Sequence, residues 1–195
     1  MAQKRKENVE PSDLDLISGC ISGDTKSQEW LYKRYFSYAM SICIRYTKSS
    51  NEAIEVVNDG FMKVLENLMT YDSAKPFKTW YAKILVNTAI DNYRRSARQN
   101  ATLSIHYIDE MEDQEPTIDS ELSVEAILKL YDELPETYRI AFNLYEIEGF
   151  SHKEIGQMLG ISTSTSRSNL TRAKKMLRIL YNKHFNPQEK RHESI

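Results

Sequence analysis

The sequence predicts an all-α fold: two small helical domains joined by a flexible acidic linker, the C-terminal one ending in a helix-turn-helix. Three observations carry this. Apolar residues recur at intervals of three and four through most of the 195 residues. β-branched alternation and hairpin signals are nearly absent. Charge is segregated, with two basic blocks separated by an acidic one.

The elements follow in order. Residues 1–11 are polar and are expected to be a disordered N-terminus. Ser12 is placed to cap a short helix reaching about Ser22, and Gly23-Asp24 breaks it. A longer helix follows, built on Leu31, Tyr35, Ala39, Ile42 and Tyr46. Ser49 and Glu52 have capping-box spacing and open a third helix whose inner face is Val57, Phe61, Val64, Leu65 and Leu68. That helix ends near Tyr71. Pro76 forces Lys75 out of helical geometry and starts a fourth helix at Phe77. Trp80, Ile84 and Thr88 fall roughly on one of its faces, the side a core helix would bury, and the first domain spans 12–98.

Residues 99–121 carry Pro116 and too little apolar surface to pack, and are expected to be a linker. The second domain spans 122–184, with 185–195 a disordered tail. It opens with an amphipathic helix using Ile127, Leu128, Tyr131 and Leu134, and Pro135 begins the next helix, which stops at Gly149. Ser151 with Glu154 forms a capping box, Gly160 supplies a left-handed turn residue, and Ser162 caps the final helix.

Composition excludes several classes. No stretch of eighteen apolar residues occurs and MAQKRKENVEPSD lacks a hydrophobic core, so neither a membrane span nor a secretory signal is expected, and the default compartment is the cytoplasm. Cys20 and Cys43 sit in apolar-periodic segments and are expected to be buried thiols. His106, His152, His184 and His192 are scattered without ligand-spaced partners and are expected at the surface. No metal, cofactor or small-molecule substrate is expected. No nucleophile-base pair or phosphate loop points to an enzyme.

The final helix carries the clearest chemistry. From Thr163 to His184 there are six Lys or Arg residues and no acid. Ile155, Leu159 and Ile161 supply apolar contacts between two short helices, and Gly156 permits their close approach. The buried line continues through Leu170, Ala173 and Leu177. The other side presents Thr163, Ser164, Arg167, Ser168, Thr171, Lys174 and Lys175, with Arg172 at the flank. Small hydroxyls at a helix start can approach a base edge or phosphate, and cations behind them neutralise the backbone. A helical hairpin with a solvated charged face would also be basic. The caps, the turn glycine and the one-signed face together favour DNA.

The fourth helix is less decisive. Asn87, Arg94, Arg95 and Arg98 are read toward another face than Trp80, Ile84 and Thr88, and Asp91 is spaced to pair with Arg94 or Arg95. A core helix with a polar back and a helix that holds an unstacked strand fit this pattern equally.

The run AIEVVNDGFMKVLENL, then PFKTWYAKILVNTAIDNYRR, an acidic segment, and LPETYRIAFNLYEIEGFSHKEIGQMLGISTSTSRSNLTRAKKML resembles extracytoplasmic-function sigma factors of bacterial RNA polymerase over about residues 13–181. The resemblance implies a protein that binds core RNA polymerase, directs it to promoter DNA and promotes melting. It places Asn58, Asp59 and Lys63 at the polymerase contact, with Phe61 packed inside. It assigns Tyr71 to Phe77, including Asp72, Ser73 and Lys75, to capture of a flipped base of the minus-ten element. Asn87, Arg94, Arg95 and Arg98 would follow the opened strand, and the final helix would read the minus-thirty-five element. An anti-sigma partner is also implied. The chain departs from the common pattern at Ser166, where a buried valine is usual, and at Asn169, where an arginine is usual. The alternative is a free-standing helix-turn-helix regulator.

A formal net charge of -2 is compatible with the first reading. Seven carboxylates between Ile108 and Glu121 discourage the free protein from random DNA. A 23-residue linker extends to about 75 Å, enough for two turns of B-DNA at roughly 34 Å each.

Overall fold

The computed structural model describes residues 10–99 and 124–185, with the side chains of 98, 99 and 124–128 excepted. Gln99, read as the first linker residue, ends the fourth helix; the expected linker from residue 100 on, the outer parts of both tails, His106, His192 and the side chains of Arg98, Ile127 and Leu128 lie outside the described residues. Every regular element described is helical: α1 (Asp13–Ile21), α2 (Thr25–Cys43), α3 (Ser50–Asn67), α4 (Phe77–Gln99), α5 (Val124–Glu133), α6 (Glu136–Phe142), α7 (His152–Leu159) and α8 (Thr163–Phe185). A 3₁₀ turn, Leu68–Thr70, follows α3, and a π-helical turn, Asn143–Ile147, follows α6. No helix among the described residues is long and apolar enough to cross a membrane.

The chain divides into two compact units. One comprises Met1–Cys43 with Ala53–Thr88, and the other Ile44–Glu52 with Ala89–Ile195. The division cuts through α3 and α4, whereas the sequence reading draws one boundary after residue 98.

In the first unit, local hydrogen bonds set the helix starts. The Ser12 hydroxyl accepts from the Asp15 N–H at 3.2 Å, and the Asp15 carboxylate accepts from the Ser12 N–H at 3.0 Å. Asp24 then caps α2 by accepting from the Ser27 N–H at 2.9 Å. At the N-terminus, Arg34 donates to the Asp13 carboxylate at 2.8 Å and to the Pro11 carbonyl at 2.7 Å. Pro11 is thereby tied down, although residues 1–11 read as disordered. The core is Leu16, Ile17 and Cys20 of α1, Leu31, Tyr35, Ala39, Ile42 and Cys43 of α2, and Val56, Val57, Phe61 and Val64 of α3. Cys20 and Cys43 are buried and form no disulfide, and burial pushes the Cys20 thiol up.

The inner stripe of α4 differs from the expected one. Phe77, Tyr81, Leu85 and Thr88 are buried, while Trp80 and Ile84 are half-buried. Both series are spaced by three or four, so α4 is apolar over a wide arc. The aromatic rings choose the phase: Phe77 sits 4.9 Å from Tyr35 and 5.7 Å from Tyr81, and each such pair adds about 0.5–1.5 kcal/mol beyond burial.

In the second unit, α8 is the organising element. Leu130 and Leu134 of the first helix pack with Leu180, and Met176, Leu177 and Tyr181 close around them. Ile140, Ala141, Leu144 and Ile155 are fully buried. Pro135 stands at the N-cap of α6, one position before the first helical residue.

Candidate nucleic-acid interfaces

In the first unit, the loop between the 3₁₀ turn and α4 is braced by its own residues. The Tyr71 hydroxyl donates to the Lys75 carbonyl at 2.5 Å, the Asp72 carboxylate accepts from the Ala74 N–H at 3.0 Å, and the Lys75 N–H donates to the Asp72 carbonyl at 3.0 Å. These bonds form a closed turn with Ser73 at its exposed tip. The Lys75 ammonium lies 3.6 Å from the Asp72 carboxylate. Behind the turn stand rings: Tyr71 to Trp80 at 5.2 Å, Tyr71 to Phe77 at 5.6 Å and Phe77 to Trp80 at 5.8 Å. Phe77 is buried, whereas Tyr71 and Trp80 keep part of their surface exposed. A half-exposed aromatic wall beside a rigid polar turn suits a single unstacked base.

Trp80 thus stands half-buried beside the loop, with Tyr71. The available signal was its place three residues after Phe77, beside the loop, where a large ring cannot be wholly covered.

Further along α4, Asn87 and Arg95 are exposed and Arg94 is half-buried. Arg94 and Arg95 follow Asn87 by seven and eight residues, about two turns further along the helix. On α3, Asn58 and Asp59 are exposed and Lys63 is half-buried. Asn58 is oriented by Tyr32, whose hydroxyl donates to its Oδ1 at 2.7 Å. Met62, more than half exposed, stands beside them. Phe61 is buried against Tyr32 at 5.1 Å, the inward packing expected of it.

In the second unit, α7, the turn and α8 form a helix-turn-helix whose caps match the sequence reading. The Ser151 hydroxyl accepts from the Glu154 N–H at 3.3 Å, and Glu154 accepts from the Ser151 N–H at 2.8 Å. The Ser151 hydroxyl, which also donates to the Glu154 carboxylate at 2.7 Å, and then the Ser151 N–H hold that carboxyl below its usual range. Gly160 adopts φ 69°, ψ 33°, a left-handed conformation that favours glycine. A methyl group on Gly156 would lie 2.8 Å from the Ile161 carbonyl oxygen, so the turn rests directly on the α7 backbone. The Ser162 hydroxyl accepts from the Thr165 N–H at 3.0 Å and caps α8.

On the outer side of α8, Ser164, Arg167, Thr171, Arg172 and Lys174 are exposed, and Thr163, Ser168 and Lys175 are half-buried. Two hydroxyls are already committed as donors, Ser168 to the Thr165 carbonyl at 3.0 Å and Thr171 to the Arg167 carbonyl at 3.1 Å. Their free lone pairs suit donor groups such as the amino groups of adenine or cytosine. Lys174 is paired with Glu146 at 2.7 Å, an ion pair the sequence did not announce.

Asn169 is buried, three residues from buried Ser166 on the same inner stripe. His152 is not a plain surface residue: its Nδ1 lies 3.1 Å from the Ser166 hydroxyl and its ring stacks on Tyr145 at 4.5 Å. His184 is exposed as expected and lies 2.5 Å from Glu133.

Comparison with known proteins fits this geometry. Residues 31–99 match the family model for Sigma-70 region 2, and residues 124–177 match that for Sigma-70 region 4. The two matches together span more than half of the chain and occur in the family's order. The chain belongs to the Sigma-70 family of sigma factors. Among its relatives, the ECF RNA polymerase sigma-E factor of Haemophilus influenzae is 26% identical over 85% of this chain and 93% of its own. The ECF RNA polymerase sigma factor SigM of Bacillus subtilis is 28% identical over 81% of this chain and 97% of its own. Among solved structures, the chain is similar to the sigma factor RpoE in complex with the anti-sigma factor NepR from Bartonella quintana. The identity is 20%, the TM-score 0.47, and the alignment covers 81% of this chain and 98% of that one. Sigma factors are transcription initiation factors.

Proposed function

We propose that this sigma factor binds core RNA polymerase through the α3 face formed by Asn58, Asp59 and Lys63, and directs it to promoters with two separate DNA contacts. The loop from Tyr71 to Phe77 takes a flipped base of the minus-ten element against Tyr71 and Trp80, with Asp72, Ser73 and Lys75 around it. Asn87, Arg94, Arg95 and Arg98 hold the opened strand. The outer face of α8, from Thr163 to Lys175, reads the minus-thirty-five element in the major groove. The protein acts in the cytoplasm, makes and breaks no bond itself, needs no cofactor, and is held in reserve by an anti-sigma partner.

The observation that carries this reading is the pairing, in one chain, of a braced aromatic turn with a one-signed recognition helix. Single-strand capture and duplex reading are different tasks, and a simple regulator needs only the second. The test is promoter-directed transcription with core polymerase, with and without this protein. Specific transcripts that appear only on its addition support the reading. Specific operator binding without polymerase, and no gain in transcription with it, would favour a free-standing regulator.

A further inference from the structure

Ser166 lies on the inner side of α8 and has no solvent-accessible surface. Its hydroxyl has one hydrogen-bond partner among the described residues, His152 Nδ1 at 3.1 Å. Two arrangements satisfy that distance. If Nδ1 carried the proton and donated, the buried hydroxyl hydrogen would have no acceptor, the costlier outcome for a group cut off from water. If the hydroxyl donates, both atoms are satisfied, and the neutral ring must carry its proton on Nε2. The neighbouring hydroxyls of Ser168 and Thr171 turn to carbonyls of their own helix, whereas that of Ser166 turns to the ring. Tyr145 adds a second constraint. Its ring plane lies 20° from parallel to the imidazole, with centroids 4.5 Å apart. One contact fixes the edge of the imidazole and the other fixes its face.

We propose that Ser166 is a positioning residue of the helix-turn-helix, acting through His152: its hydroxyl sets the imidazole tautomer and, with Tyr145, holds Nε2–H as one fixed donor at the start of α7. This deepens the sigma-factor reading and rests on it for the DNA consequence. A neutral, pre-oriented N–H beside the turn suits an acceptor oxygen of DNA without adding to the salt-dependent charge of α8. Pre-orientation also spares the ring the ordering cost that a free imidazole would incur on binding. The pair links residue 152 of the first helix to residue 166 of the second, so it also bears on the angle between them. An apolar residue at 166 fills the space and leaves Nδ1 without its donor.

The experiment compares Ser166→Thr with Ser166→Val in the full chain. The two side chains have nearly the same shape, and only threonine keeps a hydroxyl, so packing effects cancel between them. Long-range proton–nitrogen spectra of the ¹⁵N-labelled protein read the His152 tautomer at neutral pH, with the signal assigned by its loss in His152→Gln. The wild type and Ser166→Thr should show the Nε2–H form, and Ser166→Val a mixture. Promoter affinity, measured with each protein bound to core polymerase, should fall about threefold to tenfold from threonine to valine. An Nδ1–H ring in the wild type, or identical spectra and affinities for the two variants, would overturn the proposal. If wild-type protein with polymerase binds no promoter, the sigma-factor reading fails, while the spectra still decide the role of Ser166.

Discussion

Replacing Gly156 by alanine tests the geometry on which the recognition helix depends. The added methyl would sit 2.8 Å from the Ile161 carbonyl oxygen, 3.6 Å from the Thr163 nitrogen and 3.7 Å from the Ser162 carbonyl carbon. All three are backbone atoms, so no side chain can rotate away. Relief requires the turn to lift off α7 by several tenths of an ångström. The Ile161 N–H donates to the Gly156 carbonyl at 3.0 Å, and the same movement stretches that bond. Overpacking of this kind costs about 1–3 kcal/mol, and a weakened hydrogen bond adds up to about 1 kcal/mol. Alanine returns about 1 kcal/mol through its better helix propensity. The net expectation is a loss of about 1–3 kcal/mol, with the axis of α8 displaced relative to α7. Denaturant unfolding followed by circular dichroism measures the first effect, and promoter affinity in the presence of core polymerase measures the second. A variant that matches or exceeds the wild type in stability, with unchanged affinity, would show that the turn does not rest on α7 as described.

Four further outcomes follow from other contacts in the two units. Trp80→Ala should remove one wall of the loop and weaken capture of a minus-ten base by about 1–3 kcal/mol, read as a smaller fluorescence rise from 2-aminopurine placed in that element. Lys174→Ala should lower the slope of log affinity against log salt by about 0.9. Glu146→Gln should raise affinity by less than about 1 kcal/mol, because Lys174 no longer has to leave its 2.7 Å partner. Asp15, Asp24 and Glu154 are held below their usual carboxylate range by hydrogen bonds from Ser12, Ser27 and Ser151. Their stabilising effect is therefore present above the unfolded values of about 4 and is lost as pH falls through the lower folded values. An acid titration by circular dichroism should show that decline, and it should be shallower in Glu154→Gln.

Local chemistry explains how much of this was legible beforehand. Capping needs only a hydroxyl and a carboxylate three residues apart, and the boxes at Ser12 and Ser151 were readable or nearly so from spacing alone. At Ser49 the first half formed as read, with its hydroxyl accepting from the Glu52 N–H at 3.2 Å. The return bond went to the Lys48 N–H instead, at 2.9 Å. Gly160 and Gly156 were likewise readable, since a turn between two short apolar runs demands both a left-handed residue and a place without a side chain. The phase of α4 was not, because Phe77-Tyr81-Leu85 and Trp80-Ile84-Thr88 have the same period and only contact with Tyr35 separates them. The inner placement of Asn169 and the pairing of His152 with Ser166 depend on the angle between α7 and α8, which no spacing rule contains. The ion pair of Lys174 with Glu146 spans 28 positions and was invisible for the same reason.

The central claim is that neither DNA contact suffices alone and that polymerase joins them. Its most direct test is the affinity of this protein for one promoter fragment, measured at the same salt concentration with and without core polymerase. Joining two weak contacts through a common support should tighten binding by about a hundredfold or more. Equal affinity in the two measurements would contradict the account and leave α8 as the reading head of an independent regulator.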